Sequence, residues 1–158
     1  MSKLEVLNAA LQELIGTHIV RCDVAFDEIT IEIAPGDLVS VMTQLKEHPQ
    51  LAFTQLSDLS GVDYLTYGQA DWQTQSASTS GFSRGVSLGS VTAEPAPGRR
   101  FAISYQLLSI THNFRLRVKV YPENEPPRLD SVVDVWVGAN WFEREAFDLF
   151  GILFDGHP

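Results

Sequence analysis

Cysteine is nearly missing from this 158-residue sequence, where Cys22 stands alone. One thiol cannot close an intrachain disulfide, and an iron–sulfur cluster takes about four thiolate ligands, so this chain cannot hold one by itself. Long apolar runs are missing too, and none approaches the roughly 18–20 residues that span a bilayer as a helix. Bases are scarce: 11 Lys and Arg stand against 20 Asp and Glu, for a net charge of −9. The deficit is concentrated in residues 1–67, with ten acids and three bases, whereas 68–158 holds ten acids and eight bases. Such a balance argues against nucleic acid or anionic lipid as the main partner. The opening Met1-Ser-Lys-Leu-Glu5 has neither the apolar core of a secretion signal nor the Arg-rich, acid-poor character of a mitochondrial presequence. We therefore expect a bacterial cytoplasmic setting.

The length suits one domain over 1–158 with a hydrophobic core that needs no staples. Ser2 and Glu5 form a Ser-x-x-Glu capping box, and Leu4, Leu7, Leu11, Leu14 and Ile15 follow at helical spacing up to Gly16. Segments 18–25 and 28–34 read as a hairpin, with Ile29, Ile31 and Ile33 alternating against Thr30 and Glu32. Asp37 is placed to cap a second helix that lines up Leu38, Val41, Met42 and Leu45, and Pro49 lies just past its end. Phe53 to Leu65 reads as extended, with Gly61 a bulge or bend. Residues 68–100 are a Gly-, Ser- and Thr-rich loop, with Trp72 and Phe82 as anchors to the body or to a neighbour. Gly81, Gly85 and Gly89 recur near Arg84, but the Lys-Ser/Thr pair of a phosphate loop is absent.

The clearest hairpin follows. Phe101, Ile103, Tyr105 and Leu107 alternate on one strand, Thr111-His112-Asn113 supplies the turn, and Phe114, Leu116, Val118 and Val120 alternate on the return. Arg115, Arg117 and Lys119 share the other face of that return strand, about 6–7 Å apart. They read either as a polar outer face that discourages edge-to-edge pairing or as a docking strip for an acidic partner. After the connector Pro122–Pro127, Ser131 to Val137 reads as a helical turn, with a strand as the alternative that its valines favour.

The last sixteen residues crowd Glu143, Arg144, Glu145 and Asp148 into six positions of an otherwise aromatic and aliphatic stretch. Asn140 is a good N-cap, with Glu143 three residues on in a capping-box position, and Gly151 suits a left-handed C-terminal cap. These frame a helix over roughly 141–150, about 15 Å long. Phe142, Ala146, Leu149 and Phe150 would form its core stripe. Arg144, Glu145 and Asp148 fall together on another face, where an i,i+4 ion pair is worth only about 0.3–0.5 kcal/mol. Glu143, Glu145, Asp148, Asp155 and His157 are also the one dense group of titratable side chains, from which a divalent-metal site could be built. No helix-borne ligand pair with a histidine occurs among them, however, and no serine sits in a nucleophile elbow. We therefore expect no catalytic, cofactor-binding or metal-binding residue in this chain.

This C-terminal run resembles the signature of one subunit family of proton-pumping NADH-quinone oxidoreductase, respiratory complex I: the C subunit, or thirty-kilodalton subunit. The family pattern is Glu-Arg-Glu, an acid after two free positions, two apolar residues, then a basic or histidine residue further on. Glu143, Arg144, Glu145, Asp148, Leu149, Phe150 and His157 fill every slot. The hairpin is similar too, through Leu107, Leu108, Ser109, Asn113, Arg115, Leu116 and Arg117. The resemblance covers 101–158 well and 5–65 loosely, and it does not require a loop as long as 68–100.

It implies a cofactor-free structural subunit of the hydrophilic arm, peripheral on the cytoplasmic side of the bacterial inner membrane. The implied partners are the D subunit (the forty-nine-kilodalton chain) and the B and I subunits, met through the face that carries the signature residues. FMN, iron–sulfur clusters, NADH and quinone would belong to the complex rather than to this chain. The family runs on past Gly-His-Pro into a segment that wraps its neighbours, so a chain ending at Pro158 is expected to be a trimmed form without that extension. A matching subunit of a membrane-bound nickel–iron hydrogenase-type complex is the alternative. The expected fold is a two-layer α+β domain with helices packed on a mixed sheet and a C-terminal signature helix.

Overall fold

A computed structural model of the chain describes residues 2–65, 77–78, 81–82, 99–123 and 125–158. The sequence readings on Trp72, Arg84, Gly85, Gly89 and the Phe82 side chain lie outside the described residues. Helix α1 (Lys3–Ile15) opens as its capping box requires. The Glu5 N–H donates to Ser2 Oγ at 3.2 Å, and the Ser2 N–H donates to Glu5 Oε2 at 2.7 Å. A turn leads into β1 (Ile19–Ala25) and β2 (Glu28–Ile33), which form an antiparallel hairpin. Helix α2 is Leu38–Glu47, β3 is Gln55–Asp63, β6 is Phe101–Ser109 and β7 is Phe114–Val120. Within the stretch expected to be a loop, β4 (Ala77–Ser78) pairs antiparallel with β5 (Gly81–Phe82).

The main sheet has the order β1-β2-β7-β6-β3. The β2–β7 pair is parallel and the other neighbours are antiparallel, so the sheet is mixed, as expected. Registered partners put Ile31, Val118, Tyr105 and Leu59 side by side across four strands. All four are buried, and they meet Leu7, Leu11 and Ile15 of α1 and the predicted Leu38, Val41, Met42 and Leu45 of α2 in one core. Burying each such side chain contributes about 1.5–3 kcal/mol. The result is the α+β, two-layer arrangement that the patterning implied.

Three local readings change. Asp37 stands at the N-cap of α2 but makes no capping hydrogen bond. A 3₁₀ turn (Pro35–Asp37) already puts its backbone in the right-handed helical region, and its carboxylate turns to His18 Nδ1 at 3.1 Å. Gly61 is not a bulge, since it pairs in register with Ile103, and the irregularity lies between Leu56 and Asp58. Gly61 instead makes room for Phe150: a Cβ there would fall 2.7 Å from the ring at Cε2. Strand β7 lies inside the sheet, so the basic face of that strand cannot serve to protect an edge.

Candidate functional site

The signature residues occupy a small β-α-β unit that the sequence did not disclose. Strand β8 (Arg128–Asp130) and strand β9 (Leu153–Asp155) run parallel and flank helix α3 (Ala139–Phe150). Between β8 and α3 the chain makes a hydrogen-bonded turn, in which the Val135 and Trp136 N–H groups both donate to the Val132 carbonyl. Trp136 Nε1 donates to the Phe53 carbonyl at 3.2 Å, and the Lys46 ammonium donates to the Val135 carbonyl. These bonds tie the turn to α2 and to the segment before β3. Gly151 ends α3 as predicted, in the left-handed region at φ 70°, with its N–H donating to the Phe147 carbonyl.

The start of α3 is not as predicted. The helix begins at Ala139 behind Gly138, without a side-chain cap, so Asn140 lies inside it and Glu143 forms no capping box. Glu143 is fully buried. Its Oε1 accepts from the Val132 N–H at 2.7 Å and its Oε2 from the Ser131 hydroxyl at 2.6 Å. The carboxylate thus ties the β8–α3 turn to the helix and satisfies a backbone donor that would otherwise be buried without a partner. Burial pushes the Glu143 carboxyl above the ordinary glutamate range, against the lowering effects of the Ser131 and Val132 hydrogen bonds and of the His157 charge. The Tyr105 hydroxyl, which senses the Glu143 charge, is buried without a hydrogen-bond partner among the described residues.

Glu143 therefore takes a core position that the hydrophobic pattern gives to Leu149. The buried stripe is Ala139, Glu143 and Ala146, with Phe142 and Phe150 packed against the core. Leu149 is 68 % exposed. The two stripes differ by less than half a helical turn, and a charged residue on the inward side defeats any pattern built on hydrophobicity.

The signature thus divides into two sides. Glu143 and Arg144 line a cleft of about 290 Å³ with Arg128, Asp155 and His157. There Arg128 pairs with Asp155, and His157 Nε2 donates to the Asn140 carbonyl at 2.9 Å, tying the turn after β9 to the first turn of α3. Glu145, Asp148 and again Arg144 line a second, open concavity of about 510 Å³ with Trp141 and Leu149. The expected i,i+4 pair is present, with Arg144 Nε 3.0 Å from Asp148 Oδ2. Among the described residues no three His, Cys, Asp or Glu side chains converge as metal ligands. Arg128 escaped the sequence reading, and Ser131 entered it only as part of a turn, because their carboxylate partners lie 27 and 12 residues away.

The basic strip is partly neutralised within the sheet. Arg117 Nη2 reaches Glu28 Oε2 at 2.8 Å. Lys119 lies in register with Glu32, but that carboxylate is taken by Arg99 at 2.6 Å. Arg115 and Lys119 have no ion pair among the described residues.

A family model described as the respiratory-chain NADH dehydrogenase 30 Kd subunit matches residues 31–158. The chain belongs to this family. The C subunit of NADH-quinone oxidoreductase from Hydrogenovibrio crunogenus is 53 % identical over 156 residues, covering 96 % of this chain and 69 % of that protein. The same subunit of Legionella pneumophila (strain Paris) is 48 % identical over 158 residues, covering all of this chain and 70 % of that one. Among solved structures, a trypsin-resistant fragment (1–134) of Nqo5 superposes with a TM-score of 0.70 at 30 % identity, covering 97 % of this chain and 98 % of the fragment. A chain of the membrane-bound sulfane sulfur reductase, an archaeal respiratory membrane complex, shares the fold at a TM-score of 0.63 and 17 % identity, covering 98 % of this chain and 71 % of that one. The family fold is thus the α+β arrangement seen here, with the signature helix against its sheet edge.

Proposed function

We propose that this chain is a cofactor-free structural subunit of the hydrophilic arm of a proton-translocating NADH-quinone oxidoreductase. It would hold the quinone-reducing module in place on the cytoplasmic face of the bacterial inner membrane. The observation that carries the reading is the match to relatives named as the C subunit, up to 53 % identical along nearly the whole chain. Their name supplies the reaction, electron transfer from NADH to quinone, and FMN, iron–sulfur clusters and quinone would sit in other chains. No described helix is long and apolar enough to cross a membrane, which suits a peripheral position.

On this reading the mechanism is geometric. Electron tunnelling and quinone access depend on how the cofactor-bearing chains are placed, and this domain fixes that placement through its surface. The D subunit would be the chief neighbour, with the B and I subunits close by. Glu145, Asp148 and Arg144 on the outer side of α3 are the proposed contact residues, with Arg115, Arg117 and Lys119 as a second strip. The identity to C-subunit relatives supports this reading over a hydrogenase-type complex.

Deletion of the gene in the native host tests the proposal. Membranes should lose NADH:quinone reductase activity and regain it when the chain is supplied in trans. Full activity in the deletion strain would refute the reading.

A further inference from the structure

The outer side of α3 combines large exposed apolar side chains with a carboxylate that has no partner among the described residues. Val137, Trp141 and Leu149 are 83 %, 79 % and 68 % exposed. Trp141, Glu145 and Leu149 follow one another at four-residue spacing, so they form one row along the helix. Val137 precedes that row by four residues, in the turn before the helix. Glu145 sits in the middle, without an ion pair or hydrogen bond among the described residues. Its neighbours Arg144 and Asp148 bind each other and so leave it uncompensated.

We infer that this row docks a segment of a neighbouring subunit that presents an arginine between apolar side chains. The inference rests on the subunit reading above and adds the chemistry of the contact. An apolar cover over Trp141 and Leu149 removes water from around Glu145, and a carboxylate losing water must be given a cation. A guanidinium suits the place better than an ammonium, because it can bind the carboxylate with two donors while its plane lies on the Trp141 indole. The concavity of about 510 Å³ between Trp141, Arg144, Glu145, Asp148 and Leu149 is large enough to receive such a side chain. An anionic surface would be repelled by Glu145 and gains nothing from the self-paired Arg144.

The test uses the full-length chain inside its own membranes. A photo-crosslinking amino acid is placed at Leu149, the tagged chain is purified in mild detergent, and the adduct is mapped by mass spectrometry. The expected adduct lies in another subunit, beside an arginine with apolar neighbours. Glu145→Arg should lower the crosslink yield at least tenfold, and exchanging that arginine for glutamate in the partner should restore it. Glu145→Gln, which keeps size and removes charge, should give an intermediate loss.

A chain that co-elutes with redox subunits but crosslinks only to lipid, or to a segment without a cation, overturns this inference and leaves the subunit reading standing. So does an unchanged yield in Glu145→Arg. A chain that elutes alone overturns both.

Discussion

Glu143 and Glu145 are two residues apart in one motif, and their surroundings give them opposite work. Glu143 is an internal strut, and losing its side chain strands the Val132 N–H and the Ser131 hydroxyl. Glu143→Ala should cost roughly 2–4 kcal/mol of unfolding free energy in urea titrations. Glu143→Gln should cost less, because an amide oxygen can still accept from Val132.

The two forms should also differ in pH dependence. The Glu143 carboxyl is raised by burial above its ordinary value near 4.5, so the folded state holds that proton more tightly than the unfolded state. Its stabilising contribution is full below that ordinary value and is lost as pH rises through the raised one. Subtracting the Glu143→Gln profile from that of the parent isolates this slope, and no difference between the profiles would mean that the carboxylate is not desolvated.

Arg144 and Glu145, in contrast, are exposed. Replacing either by alanine should leave the isolated domain within about 1 kcal/mol of the parent while impairing assembly in the cell. A large fall in melting temperature with normal assembly would make them structural.

Among the elements, helix α3 shows what is legible in sequence and what is not. Gly151 announces its end, because a glycine directly after an apolar pair that closes a helical stripe is the usual mark of a left-handed cap. Its beginning is hidden, because Asn140 and Glu143 have cap-like spacing while the fold uses the carboxylate for a long-range contact instead. Strands β8 and β9 have three residues each and pair across 25 positions, too short for periodicity to register.

Gly61 stands out in the sequence as a bend, whereas its importance lies in packing. Its missing side chain accommodates Phe150 where α3 crosses β3. Gly61→Ala should therefore destabilise by about 1–3 kcal/mol in thermal or urea unfolding. Pairing it with Phe150→Leu should recover part of the loss, and a neutral Gly61→Ala would show that α3 has room to move.

Across the whole molecule, alternation in β2, β6 and β7 and the helical spacing in α1 and α2 sufficed to place the core, since each buried face is built almost entirely of aliphatic and aromatic side chains. Strand order did not follow from those patterns. The parallel β2–β7 pair joins segments that are about 80 residues apart, and no local signal specifies such a pairing. The outer surfaces are where the charge pattern and the fold part company. Arg117 and Glu28 pair on the face of the sheet, while Glu145 in the outer row of α3 lies between apolar side chains with no ion pair among the described residues.

The most direct measurement is affinity purification of the tagged full-length chain from detergent-solubilised membranes of its native host, with NADH:quinone activity and iron assayed in the eluate. Both should co-elute with the chain in fixed proportion, in a particle containing many other subunits. A lone chain without iron or activity would contradict the subunit reading.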